Sequence, residues 1–259
     1  MNSTTYSILV PIGFSEQSMV ALEQAERLAV LTKGEITLIS VIETSGLLNR
    51  LFGEDDEKYT AIKISLQEKL DKLAVEVNER IGLKVNAMAS KGKVSQKIIE
   101  VAELINAKLI VMGTNGAPSG FSKKVIGSNA FRVVTHATCP VITIKGKDHF
   151  KGCRSIILPL DMEKETKEKV SNALTLARLW GSTVKVVSIS KDKDEQDRAK
   201  LKANLNQVQK FLSDGGIIAT AELIRAGGRS LAQSILDYSN DNDGDLIMIM
   251  TQQESDFTI

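Results

Sequence analysis

Histidine, cysteine, proline and tryptophan are scarce in this chain of 259 residues: two, two, four and one. Cys139 and Cys153 form no metal-ligand spacing with His136 and His149, so no metal centre is expected. Reduced, partly buried thiols of a cytoplasmic protein are the expectation. Three Tyr, seven Phe and one Trp leave little material for base-stacking platforms. A net charge of +1 provides no broad basic field, so nucleic acid is not expected as a partner. Met1-Asn-Ser-Thr-Thr-Tyr6 leads straight into an apolar strand, without a basic stretch and hydrophobic leader. No apolar run is long enough to span a membrane. Ser–His–Asp and Cys–His groupings are likewise missing from the motifs, and no carboxylate pair is tied to one. The chain is therefore not expected to be an enzyme.

What is present is a soluble globular composition, 42% apolar and 25% charged, with length enough for two domains. The most informative stretch is Gly113-Thr114-Asn115-Gly116, followed by Gly127-Ser128-Asn129. It lies between Lys108–Met112, which reads as a buried strand, and Ala130–Val134, which reads as helix. A glycine turn in that context lets backbone N–H groups and a helix N-terminus face an anion. A tight turn that binds nothing is the competing reading.

The chain also repeats itself. Ser7-Ile-Leu-Val-Pro11 returns 148 residues on as Ser155-Ile-Ile-Leu-Pro159. Each run passes into an amphipathic helix, one with Met19, Leu22, Ala25 and Ala29, the other with Val170, Ala173, Leu174 and Ala177. Gly34 and Gly181 read as the left-handed ends of these helices. Then come paired strands, Ile36–Val41 and Val184–Ile189, and paired charged helices, Lys58–Arg80 and Glu195–Ser213. Third strands follow at Lys84–Ala89 and Ala219–Ile224, third helices at Ser95–Ala102 and Ser230–Asp237, and fourth strands at Leu109–Met112 and Leu246–Ile249. Alternating strands and helices imply open parallel sheets covered on both faces. The polar stretch Lys145–Gly152 separates a domain at 1–146 from a second at 153–259. Glu43–Glu57 reads as an extended loop whose Leu47, Leu48, Leu51 and Phe52 either cover a neighbouring face or form one local anchor.

The glycine loop, its closing Thr138-Cys-Pro-Val-Ile-Thr143, the opening Val10-Pro11 and the Phe14-Ser15 helix start together resemble the universal stress protein family, as two tandem domains. The resemblance implies five-stranded α/β domains of strand order 3-2-1-4-5. The second would lack its last helix and strand, because the chain stops at Ile259. It also implies ATP or a related nucleotide as ligand at the carboxyl ends of strands 1 and 4. The implied contacts are Pro11, Gly13, Val41, Gly113, Thr114, Gly116, Gly127, Ser128 and Asn129. ATP-binding members carry Asp where this chain has Gly13, and nine residues where it has the ten of Ala117–Ile126. In the second half Asp161 restores the acid, but Gln252-Gln253-Glu254 replaces the glycine loop. Only the first domain is therefore expected to bind a phosphorylated ligand. His136 is expected to close a helix, where a cation suits the dipole, and Lys123 and Lys124 to be solvated.

Two functions stay open on this reading. One is a stress-adaptation protein that binds ATP or a related nucleotide at the first-domain glycine loop, with any hydrolysis slow and incidental. The other is a dimeric interaction module with a degenerate site. An adenylate-forming enzyme ranks third, for want of a catalytic set. A homodimer is expected, through the strand-5 edge at Val141–Ile144 or the incomplete flank of the second domain.

Overall fold

A computed structural model describes residues 5–43, 56–114, 127–144, 153–160, 167–190 and 195–250. The chain divides into two compact units, Met1–Phe150 and Lys151–Ile259. In the first unit, Ser7–Pro11 (β1), Glu35–Glu43 (β2), Val85–Gly92 (β3), Leu109–Gly113 (β4) and Val141–Ile144 (β5) form one parallel sheet of order β3-β2-β1-β4-β5. Ile8, Leu9, Val10, Leu109, Ile110 and Val111 are wholly buried, as expected for central strands packed on both faces.

The helices of this unit are Glu16–Thr32 (α1), Asp56–Ile81 (α2), Val94–Leu104 (α3) and Ser128–His136 (α4). α1 begins where Ser15 caps it, accepting the Ser18 N–H at 3.3 Å. Its Ala21, Ala25, Leu28 and Ala29 are buried at helical spacing. The Arg80 guanidinium, near the end of α2, grips both oxygens of the α1 carboxylate Glu26 at 2.7 Å. Gln67 of α2 lies along the outer edge of β3, where its Oε1 accepts the Ala89 N–H at 2.7 Å and its amide donates to the Ala87 carbonyl at 3.1 Å. One side chain thus stands in for a neighbouring strand.

The second unit repeats this plan with Ser155–Leu160 (β6), Thr183–Ser190 (β7), Ala219–Arg225 (β8) and Leu246–Ile247 (β9) in the order β8-β7-β6-β9. Lys167–Trp180 (α5), Glu195–Asp214 (α6) and Leu231–Asp241 (α7) accompany them. Gln209 of α6 donates to the Ala219 carbonyl at 2.9 Å, a partial copy of the Gln67 device. The Asp245 carboxylate accepts the N–H groups of Arg154 and Ser155 at 2.9 and 3.1 Å, fixing where β6 starts. Among the described residues no equivalent of α4 or β5 is present in this unit. Met112 is 5% exposed, whereas Ile249, at the matching place in the second unit, is 62% exposed.

The reading of Gly34 as a left-handed helix end is corrected. At the end of α1 the left-handed residue is Lys33, with φ 50°, and the Gly34 N–H returns to the Ala29 carbonyl at 2.9 Å. Gly181 does hold the left-handed place, with φ 68°, and it matches Lys33 across the repeat, not Gly34. Gly34 is needed for a different reason: a Cβ there would lie 2.2 Å from the Tyr6 carbonyl oxygen. Smaller differences concern helix limits. α2 extends two residues before Lys58, and Ser230 caps α7 through the Gln233 N–H at 3.2 Å.

Both thiols are retired by the fold. Burial pushes Cys139 up to about 11 and, with the Asp245 carboxylate adding to it, Cys153 up to about 12. The folded state therefore favours the protonated thiols. That contribution is full below the ordinary thiol value near 8.5 and is lost as pH climbs through 11 to 12. At pH 8 we expect both cysteines to resist iodoacetamide in the native protein and to react once it is unfolded, as read by mass. Alkylation of the native protein at the unfolded rate would contradict this.

Candidate functional site

β1 and β4 are neighbours, but the chain leaves β1 toward β2 and leaves β4 toward β5. At such a switch point open α/β sheets have their ligand crevice, outside the carboxyl ends of the two strands. β1 stays with β2 as far as the Ile12 N–H, which donates to the Ile39 carbonyl at 2.8 Å. Gly13, Phe14 and Ser15 then lift off the sheet into α1. Pro11 and Val41 are half-buried at the ends of β1 and β2, and Gly13 is exposed.

Gly113 closes β4 against the first turn of α1. A Cβ there would sit 3.1 Å from both the carbonyl carbon and the Cβ of Gln17, so glycine permits this approach. Buried Thr114 follows, and its N–H donates to the Ile144 carbonyl at 2.9 Å. Its own carbonyl accepts the Gly127 N–H at 2.8 Å. The two ends of the glycine loop are thereby pinned together. Gly116 and the rest of residues 115–126 lie outside the described residues, as do Asp161, Gln252, Gln253, Glu254, Lys145–Gly152 and the leucine-rich stretch before α2.

α4 starts at Gly127, whose φ of −61° and ψ of 147° are those of a capping residue without a side chain to do the capping. The Gly127 carbonyl receives the Phe131 N–H at 2.9 Å, so the N–H groups of Ser128, Asn129 and Ala130 precede the first helical bond. α1 and α7, in contrast, are both capped by serine hydroxyls. Ser128 is exposed and Asn129 half-buried. The start of α4 therefore combines the positive end of a helix dipole with uncapped donors, which suits an anion.

Three features at this carboxyl edge escaped the sequence reading. Phe14 has a left-handed backbone, φ 53°, and a side chain 44% exposed. Lys91, near the end of β3, places its ammonium 4.1 Å from the Tyr59 ring centroid in the first turn of α2. In the second unit Lys169 occupies the place of the wholly buried Ala21 and donates to the Pro159 carbonyl at the end of β6. A lone Phe before a capping serine was the only sequence signal for the first.

His136 ends α4, and its Nδ1 lies 3.0 Å from the Arg132 carbonyl, a local engagement with no link to the crevice. A separate cleft of about 380 Å³, bordered by Glu103, Asn106, Lys108 and Cys139, opens at the opposite, amino-terminal edge of β4 and β5. Among the described residues no group of His, Cys, Asp and Glu is arranged to hold a metal ion. Nor is any helix among them long and apolar enough to cross a membrane.

Known proteins agree with this architecture. The model of the universal stress protein family matches residues 5–145. A universal stress protein of Methanocaldococcus jannaschii is 32% identical over 140 residues, covering 53% of this chain and 81% of that protein. One from Synechocystis is 28% identical over 139 residues, covering 53% of this chain and 84% of that protein. The crystal structure of a universal stress protein from Archaeoglobus fulgidus superposes with a TM-score of 0.75 at 21% identity. It covers 95% of this chain and 86% of that one, a likeness of fold across both units. With the family model spanning more than half of its length, the chain belongs to the universal stress protein family.

Proposed function

We propose that the protein is a non-catalytic stress-adaptation protein that binds ATP or a related nucleotide in the crevice of its first unit. Universal stress proteins serve stress adaptation, and some members of the family bind ATP. The observation that carries the reading to this chain is the pinned strand–turn–helix. Gly113 lies against α1, Gly127 is tied to Thr114, and α4 opens with uncapped donors. Phosphate oxygens accept from such donors with the helix dipole in favour. In this reading Pro11 and Val41 border the nucleoside end of the same crevice, to which position 13 supplies no carboxylate. The role in this reading is binding, and the free thiols suit the cytoplasm.

A second reading, a dimeric interaction module, draws on the second unit. Ile249, 62% exposed, stands where the first unit keeps Met112 covered, and Leu236 of α7 is 49% exposed. Among the described residues the two-residue β9 is the edge strand of this sheet. In this reading a homodimer buries that flank or the edge of β5.

One experiment separates the readings. The purified protein is denatured and released nucleotide is measured by mass and absorbance. ATP is then titrated against the native protein and against Gly116→Asp, which puts a carboxylate into the glycine loop. The nucleotide reading expects saturable binding in the native protein and at least a tenfold loss in the variant, about 1.4 kcal/mol. No released nucleotide and no saturation, with a native mass of two chains, would favour the interaction module.

A further inference from the structure

Phe14 is out of keeping with its surroundings. A left-handed backbone is uncommon for any residue with a Cβ and is a genuine outlier for a bulky one. Its φ is 53°, and 44% of the residue remains exposed. Glycine would hold the same turn without the steric conflict. The chain also has few aromatic residues, with Phe and Tyr totalling ten among 259. A strained, half-exposed aromatic at the carboxyl edge of a sheet is the kind of outlier from which function is inferred.

The position supplies the rest. Phe14 is the residue at which the chain lifts from β1 into α1, directly after Ile12 makes its last bond to β2. At the preceding position a Cβ on Gly13 would meet nothing within 4 Å, so the turn is open at that residue. A half-exposed aromatic at the carboxyl end of β1 is suited to a flat, uncharged ring system. We propose that Phe14 is a specificity-determining residue of the first-unit crevice and stacks on the base of the bound nucleotide. This rests on the nucleotide reading above. Stacking of a base on an aromatic side chain tolerates many bases because each has a π-face. The site then prefers a nucleotide over a bare polyphosphate, without strong choice among purines.

The test compares ATP, GTP and inorganic tripolyphosphate on three proteins: wild type, Phe14→Gly and Phe14→Tyr. Wild type should bind ATP and GTP within about fivefold of each other, and both more tightly than tripolyphosphate. Phe14→Gly should lose roughly tenfold or more for the nucleotides, leave tripolyphosphate unchanged, and melt at or above the wild-type Tm, since a strained residue has been relieved. Phe14→Tyr should keep nucleotide affinity. A lower Tm with equal losses for all three ligands would make Phe14 a structural residue and overturn the proposal. Unchanged nucleotide affinity in Phe14→Gly would overturn it too, while leaving the crevice as the site. If wild type bound tripolyphosphate as tightly as ATP, the stacking role would fall and the anion site would stand. If it bound none of the three, the nucleotide reading itself would fall and this inference with it.

Discussion

Gly13→Asp is expected to tighten ATP binding by about 5- to 150-fold, the equivalent of one well-oriented hydrogen bond worth about 1–3 kcal/mol. The substitution is a clean one. Gly13 is exposed, its backbone does not lie in the left-handed region, and an added Cβ meets no atom within 4 Å. Nothing in the fold has to move to receive the side chain. The new carboxylate stands at the end of β1, beside Pro11 and opposite the end of β4, where family members that bind ATP carry their acid. An Asp introduced anywhere else on the surface has no reason to raise affinity, and close to the phosphates it would lower it. Isothermal titration of both proteins at one salt concentration measures the difference. Equal affinities would mean that the nucleoside does not lie over the end of β1.

The second large effect concerns stability. Gly34→Ala is expected to cost about 3 kcal/mol or more, because its Cβ would lie 2.2 Å from the Tyr6 carbonyl oxygen. That oxygen accepts the Glu35 N–H at 2.9 Å and aligns the start of β2 with β1. The backbone must therefore give way where the register is set, not a flexible side chain that can swing clear. The preceding position should respond in the opposite sense. Lys33→Gly relieves a left-handed residue and, after the greater unfolded-state entropy of glycine is subtracted, should stabilise by roughly 0.5–1 kcal/mol. Urea unfolding of the two variants reads both. A Gly34→Ala protein with wild-type stability would show that the α1–β2 corner relaxes freely.

These neighbouring residues also mark how far the sequence could be read. The repeat is written in apolar runs and periodicities, so the α/β class and the two units were legible. The sign of a backbone angle is not. Lysine and glycine both end helices left-handed, and the habit of assigning that place to glycine shifted the end of α1 by one residue. Long-range polar contacts were equally silent. Gln67 reaches Ala87 and Ala89 from twenty-odd residues away. Asp245 caps the start of β6 across about ninety residues. No local pattern announces either. Within the candidate site, Gly113, Gly127, Ser128 and Asn129 could be picked out because glycines flanking a strand and a helix form a spaced motif. Phe14 was visible only as part of the helix start, because its left-handed angle leaves no mark in the sequence.

The pinning of Thr114 to Ile144 and of Gly127 to Thr114 bears on the tenth residue between Gly116 and Gly127. With Thr114 and Gly127 held by bonds of 2.8–2.9 Å, the cost of joining them is a closure entropy, which grows only with the logarithm of length. One added residue costs well under about 0.2 kcal/mol on that scale. The fold is thus nearly indifferent to insertions at this point. Selection on ligand fit can lengthen or shorten the stretch without compromising the sheet on which it is mounted.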